Sequence, residues 1–310
     1  MAAPREAHRL GPHVVGTRVV VRRLLPGESG PSGGPAMTDV LGVCLRWSEG
    51  ECVVQPESGP AVTIPLRLVV SGKPVPPRPS VRHRVAPREV HGHVAALWPD
   101  VSVEPLGEWV LRAAPPVDGR HLRRANSALA MGDPGLPVPE ALDRVLEFSA
   151  RHERPPLAVV ELGSDTEQAL ASLGWTPTDL APVHTQLAPV ARTLRGLGGA
   201  PDDARFAEDG DRVEVRLGET ARGRAGVEGD WLGVHGVLVD PAHRRRGLAR
   251  QVVAVLLEWG AERGASTAWL HVESDNTPAV ALWEAIGFRT HHDHRYVAPA
   301  VTPTGRAPAS

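Results

Sequence analysis

The chain has 310 residues, 42% of them hydrophobic, and a formal charge of −2. That length supports two or three folded units with real cores, and the near-neutral balance excludes a general electrostatic draw toward nucleic acid or a membrane surface. No apolar run approaches the ~20 residues of a membrane span, and the opening MAAPREAHRL lacks the apolar core of a secretion signal. The expected location is therefore cytoplasmic. Lys73 is the only lysine; arginine replaces it throughout, alongside much Ala, Gly and Pro, which reads as GC-rich coding bias and not as an RNA-binding signature. Cys44 and Cys52 flank a hairpin turn. In a reducing compartment they read as buried thiols, and two cysteines alone make no zinc site.

In chain order, residues 1–11 read as frayed. Apolar, β-branched runs at 13–25, 40–47, 51–55 and 62–70 are separated by Gly/Pro/Ser turns, which predicts a small SH3-like β-barrel over 1–72. Residues 73–88 are proline-rich and predict an extended linker. A first α/β unit is expected over 89–190. It contains a helix at 90–97, strands at 107–113 and 124–129 around a polar loop from Arg120 to Ser127, and a helix at 139–152. A strand at 157–162 and a helix at 165–173 closed by Gly174 complete it. Residues 191–211 read as a connection with at most one short helical stretch, 190–197, and 212–217 as a half-exposed strand. Residues 220–230 read as a polar turn. The tail, 299–310, has nothing to bury.

The most informative stretch is 232–288. The apolar run Leu232-Gly-Val-His-Gly-Val-Leu-Val239 turns at Asp240-Pro241. The loop Arg244-Arg-Arg-Gly-Leu-Ala249 follows, then an apolar-periodic helix at 250–263, a strand at 267–272, and a short helix ending Ile286-Gly-Phe288. A helix start with free backbone N–H groups and flanking arginines is an anion site. An earlier segment, 160–175, repeats the Glu, Ser-Asp, Ala-Leu and Gly-aromatic steps of 272–288 but has no arginine–glycine loop before it. It is read as a second, degenerate copy.

These motifs in this order resemble the GNAT superfamily of acyl-CoA N-acyltransferases. The resemblance rests on Val237-Leu-Val239-Asp-Pro, the Arg244–Ala249 loop, Asn276, and Ala281-Leu-Trp-Glu-Ala-Ile-Gly-Phe288. More loosely, Trp109-Val-Leu-Arg112 and Arg124-Ala-Asn-Ser127 are similar to an actinobacterial group with an N-terminal barrel and a degenerate first half. The implied architecture is α+β: the barrel, then tandem GNAT-like units forming a mixed sheet flanked by helices, the second over 212–298. The implied co-substrate is acetyl-CoA or another acyl-CoA, with no metal. Arg244, Arg245, Arg246, Gly247, Leu248 and Ala249 would receive the pyrophosphate. Val237, Leu238 and Val239 would pair with pantetheine, and Asn276 and Trp283 would lie beside it. The acceptor would be a small-molecule amine or a peptide amine. A homodimer is allowed; membrane and nucleic acid are not expected partners.

The catalytic groups depart from the family pattern. Trp283 stands where many members carry an acidic tyrosine, and an indole N–H is no acid at neutral pH. Tyr296, the only tyrosine, is the alternative. Gly233 stands where many members hold a strand carboxylate. Strand alternation places Gly233, His235, Val237 and Val239 on one face, so His235 is the expected base or water relay; a hydrogen-bonded sheet histidine is the other reading. His271 and Glu273 are second choices. The run His291-His292-Asp293-His294 invites a metal reading, but adjacent strand histidines point to opposite faces and no cysteine is near, so a surface strand is expected. Two functions stay open: an N-acetyltransferase, or a non-catalytic acyl-CoA-binding or interaction module.

Overall fold

The structure is a computed structural model and describes residues 10–29, 33–56, 59–75, 81–117, 119–199, 201 and 203–300. Parts of the expected frayed N-terminus, glycine-rich loop, linker and tail (1–9, 30–32, 76–80 and 301–310) lie outside the described residues. The chain separates into two compact units at 79/80.

The first unit is a five-stranded antiparallel sheet built from β1 (Arg18–Ser29), β2 (Pro35–Trp47), β3 (Glu51–Pro56), β4 (Val62–Pro65) and β5 (Val69–Pro74), in the order β4-β3-β2-β1-β5. Alternation sends Val19, Val21, Val40, Cys44, Cys52, Val54 and Ile64 into one core. Both cysteines are free, and burial raises both thiols, Cys52 to about 11. The expected SH3-like barrel is corrected to an open sheet: among the described residues β4 and β5 are its edges and do not pair.

The second unit is one mixed sheet. Its strands are β6 (Ser102–Leu106), β7 (Trp109–Ala113), β8 (Ala128–Leu129), β9 (Ala158–Glu161), β10 (Trp175–Pro177), β11 (Val183–Pro189), β12 (Arg205–Asp209), β13 (Arg212–Leu217), β14 (Ala221–Glu228), β15 (Trp231–Val239), β16 (Thr267–Glu273) and β17 (Arg289–Pro299). The order is β12-β13-β14-β15-β16-β11-β17-β9-β8-β7-β6, with β10 on β17. Among the described residues only β8/β9 and β15/β16 pair in parallel. A helix crosses each parallel step, α2 (Val138–Arg151) and α5 (Leu248–Glu262), as parallel neighbours require. The remaining helices are α1 (Pro87–Gly92), α3 (Asp165–Ser172), α4 (Val190–Leu197) and α6 (Thr277–Ala285).

α5 buries Val252, Val253, Leu256, Leu257 and Trp259 against the sheet. Each such side chain contributes ~1.5–3 kcal/mol by leaving water. The opposite face is covered by α1 and the 3₁₀ turn His93–Leu97, whose Val90, Val94, Leu97 and Trp98 pack on Leu187 and Trp269. Within the expected linker, Arg82 Nε donates to Thr267 Oγ1 at 2.7 Å, and Val85 O lies 2.9 Å from His291 Nε2.

Several expectations are corrected. The polar turn expected at 220–230 is mostly strand β14. Its glycines, poor strand formers, are sites of close approach: a Cβ on Gly223 would stand 2.6 Å from Val252 Cγ1, and one on Gly226 2.7 Å from Ala96 O. The connection at 191–211 holds the short helix expected there, α4, but ends in a strand that was not expected, β12. That polar strand is held by Glu208, which accepts from Trp259 Nε1 at 3.0 Å and Arg263 Nη2 at 2.8 Å. Residues 123–125 form a 3₁₀ turn, so only Ala128–Leu129 of the strand expected there exists. The surface strand expected at the histidine run has buried residues, His292 and His294, because α1 brings His91 onto that face.

Candidate functional site

β15 and β16 pair only at Trp231–Thr267, Leu232–Ala268 and Gly233–Trp269. Beyond Gly233 they part. β16 stays on β11 up to Glu273, and β15 stays on β14 up to Val239. The β16-facing main-chain groups of β15 from Val234 onward are therefore left without a ladder partner among the described residues. Gly236, at φ +61°, makes a bulge opposite Gly223. The extra residue flips the alternation. Val234, Val237 and Val239 pack with the α5 core, whereas Gly233 lies against Leu97 and Trp269 and His235 against Trp98. The expectation that Gly233, His235, Val237 and Val239 share one face is thus corrected.

At the end of β15, Asp240 Oδ1 accepts from Ala242 N at 2.8 Å and fixes the turn. The loop then places Arg245 at φ +64° and Gly247 at φ +81°, the residue that caps α5. Gly247 is required by that left-handed backbone, and the space beside it is open, with nothing within 4 Å of a would-be Cβ. The N–H groups of Leu248, Ala249 and Arg250 have no intrahelical acceptor, and the helix dipole adds positive potential there. Arg244, Arg245 and Arg246 are exposed. Arg244 Nε donates to Val239 O at 3.4 Å, and Arg250 Nη2 to Gly196 O at 3.3 Å. Asn276 is exposed and caps α6, its Oδ1 accepting from Ala279 N at 3.3 Å. Trp283 is buried edge-to-face on Phe288, centroids 5.3 Å apart.

On the other side of the sheet a cavity of about 240 Å³ is lined by Leu97, Trp98, Glu214, Arg224 and His235 among others. The His235 ring lies 5.2 Å from the Trp98 indole. Burial, then the charges of Arg124 and Arg224, push its pKa down to about 3 against the pull of Glu214, so it is neutral at pH 7. Glu214 accepts from Arg224 Nε at 2.5 Å and Arg216 Nε at 2.6 Å. Burial works against its ionisation, yet those two hydrogen bonds hold it below its usual value. Leu97, Trp98, Glu214 and Arg224 were not singled out from sequence. The Trp98-Pro99 step and the charged alternation of 212–217 were the signals available.

Gly233 now has a reason. A Cβ there would stand 2.5 Å from Leu97 Cδ2 and 2.7 Å from Trp269 Cζ2, so no carboxylate fits. Glu273 pairs with Arg123 at 3.3 Å, and His271 is buried. Tyr296 sits on β17, two strands from β16, with Arg123 5.7 Å over its ring, and burial raises its pKa.

A family model described as the C-terminal part of the probable histone acetyltransferase Rv0428c matches residues 190–297, and one described as the Rv0428c N-terminal Sm-like domain matches 13–73. The Rv0428c protein of Mycobacterium tuberculosis, itself described as a probable histone acetyltransferase, is 30% identical over 91% of this chain and 95% of its own length. The uncharacterized N-acetyltransferase YobR of Bacillus subtilis is 36% identical over 25% of this chain, which spans 31% of that protein. A GCN5-related N-acetyltransferase from Kribbella flavida superposes with a TM-score of 0.51 over 74% of this chain and 98% of its own, at 18% identity, which shows a common fold. A parted parallel strand pair with a glycine-capped helix beside it defines the GNAT type of N-acetyltransferase. The chain belongs to that family, in the branch of Rv0428c. Its N-terminal sheet is Sm-like.

Proposed function

We propose that the chain transfers an acyl group, most simply acetyl, from acyl-CoA to a primary amine by direct attack. The observation that carries this is the parting of β15 from β16 beside the arginine-flanked start of α5. The N–H groups of the 245–249 loop and the Arg244–Arg246 side chains receive the pyrophosphate through charge-assisted hydrogen bonds. Pantetheine pairs with the free edge of β15 near Val237, Leu238 and Val239, and the amide of Asn276 donates to it. Backbone N–H groups on that edge polarise the thioester carbonyl. Trp283 supports the α6 side by packing.

The amine enters through the cavity of Trp98, Glu214, Arg224 and His235. Being neutral, His235 accepts a hydrogen bond from the incoming amine or its relay water. With a pKa about 3 it positions and relays; it does not store the proton. The thiolate leaves unaided, since a thiol's pKa is only ~8.5. The description of Rv0428c as a probable histone acetyltransferase favours a peptide amine over a small molecule. The test is thiol release from acetyl-CoA with peptide and small-amine panels. Amine-dependent thiol supports transfer; CoA binding without release under any acceptor supports the binding-module alternative.

A further inference from the structure

Four histidines from three distant segments meet in the core of the second unit: His91 on α1, His271 on β16, and His292 and His294 on β17. All four are less than 9% exposed. Ring centroids are 4.6 Å apart for His91–His294, 4.7 Å for His271–His294, 4.8 Å for His91–His271 and 5.1 Å for His91–His292. The His292–His294 pair is wider, at 6.1 Å. One nitrogen from each of His91, His292 and His294 lies within 4.8 Å of the others.

Four imidazoles around one ion have a definite spacing. With metal–nitrogen bonds of ~2.0–2.1 Å in a tetrahedron, ligand nitrogens are ~3.3 Å apart and ring centroids ~5 Å apart. The four shorter centroid pairs, 4.6 to 5.1 Å, already have that spacing. His91 Nε2 and His292 Nε2 are already 3.0 Å apart.

The hydrogen bonds point the same way. His292 engages His291 through Nδ1 at 2.7 Å, and His294 engages Thr185 Oγ1 through Nδ1 at 3.1 Å. Outer partners of this kind orient ligand histidines, leaving Nε2 for the ion. His294 Nε2 and both nitrogens of His271 are buried and have no hydrogen-bond partner among the described residues. Orphaned buried nitrogens are costly, and one ion would satisfy two of these three, His294 Nε2 and one nitrogen of His271.

We propose that His91, His292 and His294, with His271 as the fourth donor, bind one late transition-metal dication, zinc by the chemistry of the set. Neutral imidazole suits zinc, copper and nickel and does not suit magnesium or calcium. Arg112 and Arg124 act against cation binding, each donating to the main-chain carbonyl of a cluster histidine, His91 at 3.3 Å and His271 at 3.0 Å. The ion would tie α1 to β16 and β17. It would thereby fix the wall that brings Leu97 and Trp98 to Gly233 and His235. From sequence the histidine run invites a metal reading that strand alternation sets aside; His91, 201 positions from His292, supplies the further nitrogen on that face. The inference does not depend on acyl-CoA binding.

The experiment uses the full chain with any affinity tag removed. Metal content is measured by mass spectrometry as purified, after chelation, and after adding back Zn²⁺. The expected results are about one zinc per chain, a melting temperature several degrees lower after chelation, and recovery with Zn²⁺ but not Mg²⁺. Cobalt substitution should give the visible bands of a four-coordinate nitrogen site. His294→Asn should lose the ion, while His243→Asn, a surface control, should keep it. Should His294→Asn fail to fold, the wild-type cobalt spectrum still decides. A chain with no bound metal, no Zn²⁺-dependent shift and no cobalt bands would overturn the proposal; so would binding that survives in folded His294→Asn.

Discussion

Replacing Gly247 separates the two demands placed on it. The first is conformational. At φ +81° a side chain costs ~1–2 kcal/mol, and less for Asn or Asp than for Ala, whose side chain offers no local hydrogen bond. There is no steric demand, since nothing lies within 4 Å of a would-be Cβ. The second is electrostatic. A carboxylate here would face the pyrophosphate, and two unit charges ~6 Å apart repel by ~3 kcal/mol at an effective dielectric of ~20. If strain alone matters, Gly247→Ala weakens CoA binding at least as much as Gly247→Asp. If the loop is an anion cradle, Gly247→Ala loses up to ~10-fold, and Gly247→Asp loses ~100-fold or more, at ~1.4 kcal/mol per tenfold. Gly247→Asn controls for shape without charge. Calorimetric titration of CoA into each folded variant reads the order directly. Equal affinities for the Ala, Asn and Asp variants would refute the cradle.

Other predictions follow from neighbouring residues. His235→Ala should cut turnover well beyond any change in CoA affinity, yet leave the pH midpoint of the rate in place, because a group titrating near 3 sets no limb between pH 6 and 9; a midpoint that moves would show that His235 stores the proton. Gly233→Glu should lower the melting temperature, since overpacking costs ~1–3 kcal/mol and Leu97 and Trp269 already occupy the space; a stable and more active Gly233→Glu would mean the wall yields. Leu256→Ala, in the fully buried α5 face, should destabilise by ~2–5 kcal/mol in denaturant melts, and a loss below that would place the helix outside the core. Acid should destabilise the fold early. His235 has a folded pKa below its unfolded value of ~6.5, so its contribution is complete above that pH and is lost as pH falls toward about 3. A stability curve flat from pH 7 to 4 would contradict its burial.

Much of the second half was legible because its signals are local. The Asp240-Pro241 turn, the arginine–glycine loop and the 3.6-residue spacing of Val252, Val253, Leu256 and Leu257 place α5 from sequence. What escaped depends on partners remote in sequence. β14 reads as a turn because its glycines answer Val252 and Ala96, not a local backbone need. The bulge at Gly236 reverses the strand's parity, and alternation counting has no term for it. The histidines of β17 read as surface until His91 arrives from α1. The cavity joins Trp98 to Glu214 and His235, residues in three segments, so no motif spans it. In the first unit, strand content was readable, but closure was not, because it depends on whether the two edge strands meet.

The central claim is that the parted strands and the start of α5 hold acyl-CoA. A calorimetric titration of the full chain with CoA at low and at raised salt tests it most directly. The account predicts one site per chain, with an affinity in the micromolar range common for enzyme substrates, weakened by salt because arginines carry part of the binding, and weakened ~100-fold or more in Gly247→Asp. No heat of binding at millimolar CoA, or a Gly247→Asp chain that binds as the wild type does, would contradict it.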